Sequence, residues 1–192
     1  MKKLLITGFD PFDGKHANPS WMAVETLPDQ IGEYALCKLR LPTVYEKAPK
    51  IVMDTAEAFQ PDVILCVGLA VGRDAVTPER IAVNIRDTRS PDNEGNHPQG
   101  DLIAPDGPAA YFSTLPVTEM AHAIRTAGIP ASVSNTAGTF VCNDTFYSLL
   151  HRFAQTPVRV GFIHIPSLPG QGAPSLPLSD TVAALTAAIN AL

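Results

Sequence analysis

The stretch SNTAGTFVCNDTFYSLLH, residues 134–151, sets a cysteine just inside the start of a predicted helix, behind a turn of small residues. With Thr139 as N-cap, Cys142 falls in the first helical turn, where unpaired amides and the helix dipole favour a thiolate and lower its pKa. The same amides suit an oxyanion. A competing reading makes Cys142 a small buried hydrophobe, because Phe146, Leu149 and Phe153 continue its helical face toward a sheet. Position alone does not choose between the two. Cys37 and Cys66 both stand mid-strand among apolar neighbours and read as packing residues.

A nucleophilic thiol needs a base. His16, His97, His122 and His151 have polar neighbours in loops or on helix faces and read as solvated, whereas His164 ends the apolar run VRVGFIHIP one strand after the Cys142 helix. A histidine in an apolar strand is ordinarily a satisfied core residue, but both residues would reach one sheet edge, and this pairing considerably strengthens the reading of His164 as the base. An imidazole base needs an acceptor to fix its tautomer. Glu79, in TPERIAVN, meets that need if its strand turns back antiparallel; without the other two residues it reads as a solvated carboxylate. Asp144, in the first turn, is expected to face outward and complement the helix dipole.

The elements that must position these side chains alternate along the chain. Strands are predicted over residues 2–7, 34–41, 62–68, 79–86, 130–134 and 158–165. In the strand over 79–86, Ile81, Val83 and Ile85 share a side. Helices are predicted over 18–27, with Asn18 as N-cap and Pro19 at the first helical position, over 45–59, 116–127 and 140–153, and at the C-terminus behind a Ser179 cap. Residues 87–108, polar and rich in Pro, Gly, Asn and Asp, form a long loop of the length usually reserved for function. The alternation predicts one α/β domain over residues 1–192: a three-layer α/β/α fold with a twisted, mainly parallel sheet and at least one antiparallel strand. Ligands in such sheets bind beyond the carboxyl ends of the strands. Four ends there carry conspicuous sequence: TGFDPF, GLAVGR, NTAGTFVC and HIP.

Composition narrows the function classes. The 192 residues are 45% hydrophobic and 17% charged, with a formal charge of −5 and scattered Lys and Arg, so no basic footprint marks nucleic acid or an anionic membrane as partner. The N-terminal apolar run stops at Ile6, too short for a signal-peptide core or a membrane span, and a cytoplasmic protein is expected. Three distant cysteines suit neither a disulfide framework nor a paired-cysteine metal site and read as reduced thiols.

The motifs TGFDPF, NPSW, GLAVGR, TPERIAVNIRD, SPDNEG, GPAAYFSTLP, AGIPASVSNTAGTFVCN and FIHIP together resemble the pyrrolidone-carboxylate peptidases, also called pyroglutamyl-peptidase I, over residues 7–178. The resemblance implies a cysteine peptidase that uses no metal or cofactor. It also implies a Glu79, Cys142 and His164 triad, removal of an N-terminal pyroglutamyl residue from peptides, and assembly as a homotetramer. Asp13, Val71 and Ser90 depart from the family's usual residues, and the C-terminal helix ends early.

Pyroglutamate is a small neutral lactam, so its site should combine apolar walls with a few hydrogen-bonding groups. Phe9, Phe12, Phe140 and Val141 are the expected walls, as the resemblance also implies, and Asn18 is a polar contact; alone, the phenylalanines read equally as core and Asn18 as a helix cap. The Cys142 amide is the expected oxyanion donor, with Arg89 as a second. Two rival classes stand beside this one. A phosphate-using transferase would exploit the glycine turns, although neither fits a phosphate-loop pattern, and phosphate-dependent turnover would reveal it. A non-catalytic binding protein would leave Cys142 inert to thiol labelling.

Overall fold

The structure is a computed structural model that describes residues 1–12, 14 and 16–192. Asp13, one of the departures noted above, lies outside the described residues.

The first apolar run forms β1 (Lys2–Phe9), and α1 (Pro19–Thr26) follows with the predicted cap, Asn18 Oδ1 accepting the Ser20 amide at 3.0 Å. A short β2 (Gln30–Ile31) leads into β3 (Tyr34–Leu41). Helix α2 (Lys47–Phe59) starts two residues later than expected because Glu46 takes a positive φ of 59°, outside helical geometry. Pro49 thereby falls in the first turn, where its missing N–H has no intrahelical acceptor to serve. The run at 62–68 becomes β4 (Val63–Leu69).

The strand expected over residues 79–86 is not continuous: β5 (Thr77–Pro78) ends before it, β6 (Ile81–Val83) and β7 (Arg86–Asp87) are separate, and of the three only β5 joins the main sheet. The long loop is partly ordered where its β8 (Gln99–Asp101) pairs with β7; just beyond it, β9 (Ala110–Phe112) pairs with β6. Helix α3 (Val117–Thr126) matches its expected span. Residues 130–134 make isolated parallel bridges, Val76 to Ala131 and Glu79 to Ser134, in place of a continuous strand. Pro78 and Pro130 each remove a ladder donor there. Helix α4 (Val141–Phe153), β10 (Arg159–Ile165) and α5 (Leu178–Asn190) complete the chain. Pro177, not Ser179, is the N-cap of α5; the Ser179 hydroxyl bonds Asp180 instead.

The six-stranded sheet runs β2-β3-β1-β4-β10-β5, parallel through its four central strands and antiparallel at both edges. Alternate residues of the central strands serve opposite faces. Leu4, Ile6, Leu65, Val67 and Ile163 pack against α1, α3 and α5, while Leu5, Ile64, Cys66, Val160 and Phe162 pack against α2 and α4. This is the expected three-layer arrangement, and its second face carries the Cys142 helix. Among the described residues no helix is long and apolar enough to cross a membrane.

Candidate active site

The register of β4 and β10 brings the site together. Gly68 is the Cα partner of His164, and paired residues of adjacent strands project to one face of the sheet. A methyl placed on Gly68 would lie 2.9 Å from Cys142 Sγ and 2.9 Å from the Phe162 ring. The thiol therefore sits over Gly68, on the face to which His164 projects. Only a residue without a side chain leaves that space, and Phe162, two residues before His164, stacks obliquely on the imidazole with ring centroids 4.8 Å apart.

Cys142 is the second residue of α4, whose N-cap is Phe140 rather than the expected Thr139. The Thr139 hydroxyl donates to the Asp87 carbonyl at 2.7 Å, while the Asp87 amide donates to the Thr139 carbonyl at 3.1 Å. Those two bonds fasten the long loop to the approach of the nucleophile helix. Asp144 is not outward: it is fully buried, accepting from Arg86 Nε at 2.7 Å and from the Glu46 amide at 2.9 Å. Its carboxylate ties the first turn of α4 to α2 and β7, so the charge is compensated by specific partners as well as by the dipole.

Glu79 follows β5, and its amide donates to the Phe162 carbonyl at 2.9 Å, which holds it beside β10. Its carboxylate is 0% exposed, and Oε1 accepts His164 Nδ1–H at 2.8 Å. His164 is itself only 4% exposed. With Nδ1 committed to the carboxylate, Nε2 is left as the basic nitrogen. The same Glu79 oxygen accepts Arg73 Nη1 at 2.5 Å, and the guanidinium also reaches Thr77 Oγ1 at 2.5 Å and the Thr136 carbonyl at 2.8 Å.

Charge states follow from burial. Desolvation pushes the Cys142 thiol up to about 12, with Cys66 and Glu79 adding to the rise and Arg73 opposing it. The expected lowering by the helix start is thus outweighed: taking the thiol out of water costs the charged form more than the first-turn amides return. Burial likewise lowers the pKa of His164 against the pull of Glu79. Both shifts favour the uncharged forms of thiol and imidazole in the free site.

Beside the thiol lies a small cavity lined by Phe9, Phe12, Asn18, Thr43, Leu69, Phe140 and Cys142. Phe12 and Phe140 meet across it with ring centroids 6.2 Å apart, and Tyr45 braces Phe140 edge-on at 5.5 Å. Its volume of about 30 Å³ holds roughly two water molecules, so a five-membered ring enters only if the aromatic walls part. Asn18 keeps its cap and also donates to the Asp10 carbonyl at 2.9 Å, which fixes its amide at the cavity rim.

The sequence-derived residues Phe9, Phe12, Asn18, Phe140 and Cys142 are thus gathered at one cavity, and Glu79 joins His164. Two others are not gathered. Val141 is fully buried in the core beneath α4. Arg89 lines a neighbouring open cleft with Asp87, Thr88, His97, Gln99, Thr139 and Phe140, and Phe140 is shared with the thiol cavity. Val71 and Ser90 are both exposed and line neither cavity. Sequence reasoning missed Thr43, Leu69 and Arg73. Leu69 and Arg73 belong to the GLAVGR strand end already singled out, and Thr43 follows the carboxyl end of β3, where the same rule points. Among the described residues no group of three or more His, Cys, Asp or Glu is arranged to hold a metal ion.

Comparison with known proteins adds an independent line. A family model described as pyroglutamyl peptidase matches residues 2–192. The chain is 51% identical to a pyrrolidone-carboxylate peptidase of Levilactobacillus brevis, covering 99% of this chain and 97% of that one. It is 49% identical to the Bacillus licheniformis protein of the same name, covering 100% and 93%. Among solved structures, pyroglutamyl peptidase I of Bacillus amyloliquefaciens superposes with a TM-score of 0.94 at 45% identity, covering 98% of this chain and 95% of that one. The pyrrolidone carboxyl peptidase of Thermococcus litoralis gives 0.94 at 36% identity, covering 100% and 93%.

Proposed function

The chain belongs to the pyroglutamyl peptidase family, and on that premise we propose that it removes N-terminal pyroglutamate from peptides by acyl transfer through Cys142, His164 and Glu79. The observation that carries this reading is the continuous arrangement of a buried carboxylate on His164 Nδ1 and a thiol on the face to which His164 projects, opening onto an aromatic-walled cavity. A neutral lactam suits that cavity, whose apolar walls would penalise a charged amino terminus.

The resting charge states favour proton transfer concerted with attack. Cys142 Sγ gives its proton to His164 Nε2 as the Sγ–C bond forms at the pyroglutamyl carbonyl carbon. The developing oxyanion is received by the Cys142 amide in the unpaired first turn of α4. As the C–N bond breaks, His164 passes the proton to the departing amine, which leaves a thioester. His164 then takes a proton from water, the hydroxyl adds to the thioester carbonyl, and collapse breaks the C–S bond. The proton returns to Sγ and pyroglutamic acid is released. Glu79 orients the imidazole and balances the imidazolium that forms in each half-reaction. In this reading one domain works without cofactor or metal, in the cytoplasm, as a homotetramer.

The direct test is release of a chromophore from a pyroglutamyl amide by the purified protein and its Cys142→Ser variant. Turnover by the parent and none by the folded variant is expected. A parent inert toward the pyroglutamyl amide, or a variant of undiminished activity, would remove the reading.

A further inference from the structure

Glu79 is fully buried, and its Oε2 has no hydrogen-bond partner among the described residues. A buried carboxylate with an unpartnered oxygen calls for a compensating cation beside it. The titratable groups facing the Glu79–His164 pair are Arg73, from the loop after β4, and Cys142, from α4, while Cys66 of β4 faces Cys142 in turn. Arg73 is the cation among them, and it meets Glu79 on the same oxygen that accepts His164 Nδ1–H.

Arg73 is also held in place. Thr77 Oγ1 receives the same Nη1, the Thr136 carbonyl receives Nη2, and the side chain is only 27% exposed. A guanidinium can satisfy three acceptors from one plane, which an ammonium on a flexible stem does not reproduce. Thr77 belongs to β5, beside His164, and Thr136 to the segment leading into α4, so one side chain connects both approaches to the site.

We propose that Arg73 is a positioning residue of this site: its guanidinium compensates the buried Glu79 carboxylate and holds it aimed at His164 Nδ1. The inference rests on reading Cys142, His164 and Glu79 as an acyl-transfer triad. When His164 receives the thiol proton, Glu79 and Arg73 flank the imidazolium with opposite charges. The carboxylate stabilises it and the guanidinium limits its basicity, so that the proton is given up again to the leaving amine.

This arrangement has a pH signature that a purely structural role lacks. The Glu79–His164 pair changes from net −1 to neutral when it takes up one proton, on whichever residue the proton resides. Removing a neighbouring cation makes that uptake easier, so the acid limb of kcat/KM must move to higher pH. For Arg73→Met the displacement is about one pH unit or more, the size of an adjacent opposite charge. The rate at the optimum falls roughly 10- to 100-fold, at most the lower end of what acid–base catalysis contributes, and mainly in kcat. Arg73→Lys supplies charge without the planar fork, so its acid limb stays near the parent position while part of the rate is lost.

The experiment is a set of pH profiles of kcat/KM on a pyroglutamyl amide for parent, Arg73→Met and Arg73→Lys, with thermal unfolding of each. NMR titration of the His164 ring in the same proteins reads the displacement independently of turnover. A parent inert on the substrate therefore refutes the proposed function, while the ring titration still decides the role of Arg73. A folded Arg73→Met protein with the acid limb and ring titration unmoved overturns the proposal, as does an Arg73→Lys protein displaced as far as Arg73→Met. If Arg73→Met does not fold, Arg73→Gln retains hydrogen bonds without charge and must show the upward displacement; its absence there overturns the proposal equally.

Discussion

Replacing Gly68 by alanine tests the seating of the thiol with a single methyl group. Gly68 has no left-handed φ, so alanine meets no backbone penalty there; the whole effect comes from space. The new carbon would stand 2.9 Å from Cys142 Sγ and 2.9 Å from two atoms of the Phe162 ring, about 1 Å inside the optimum separation of non-bonded heavy atoms. The Phe162 ring is held by Phe9 at 6.4 Å and Phe146 at 5.8 Å, so the thiol is the freer group to move. Displacing a reacting atom by about 1 Å costs on the order of 100-fold in rate. Overpacking a filled core costs about 1–3 kcal/mol, which for a chain of this size lowers Tm by roughly 2–4 °C per kcal/mol. The assay is kcat on a pyroglutamyl amide, with Tm measured on the same preparation. A Gly68→Ala protein with unchanged kcat would refute the seating of Cys142 over Gly68, whatever its Tm.

Three further outcomes are expected. Because burial holds the Cys142 thiol neutral up to about 12, alkylation of the free enzyme by iodoacetamide should show no inflection below about pH 8, the region where an ion-paired thiolate would titrate; a plateau reached under neutral conditions would contradict a neutral resting pair. Burial lowers the folded pKa of His164 from its ordinary value of 6.5, so the unfolded chain binds the proton more readily. The stability this group contributes is present above about pH 6.5 and is lost as pH falls from there through the folded value, and urea unfolding across that window should show a loss that a His164→Gln variant lacks. Prolyl amides have the ring without the lactam carbonyl, and glutaminyl amides bring an ammonium to an apolar wall, so both should fall behind the pyroglutamyl amide by about a thousandfold or more in kcat/KM; comparable efficiencies would remove the lactam pocket.

What was legible in the sequence was what local chemistry determines. The continuous apolar runs of β1, β4 and β10 announced strands covered on both faces, Asn18-Pro19 announced the start of α1, and the strand-end rule gathered Cys142, His164 and Phe9 on one edge. What escaped depended on tertiary partners. Thr139 has the side chain of a cap, but its hydroxyl is drawn to the Asp87 carbonyl on the long loop, which the local sequence does not foretell. Asp144 was expected to face water and instead closes a buried network with Arg86 and Glu46. The thiol pKa reversed for the same reason: helix position is visible in sequence, whereas the desolvation that dominates it is set by packing against β4. Arg73 was hidden in the GLAVGR turn, because the burial of Glu79 that calls for a cation is set by tertiary packing.

The most direct measurement of the central claim is the mass of the peptide carrying Cys142 after the enzyme is mixed with a pyroglutamyl amide and quenched in acid before the steady state. Acyl transfer through Cys142 predicts one pyroglutamyl group on that peptide, appearing as the chromophore is released and absent from Cys142→Ala. Chromophore release with no adduct at any time before the steady state, or an adduct on another residue, would contradict it.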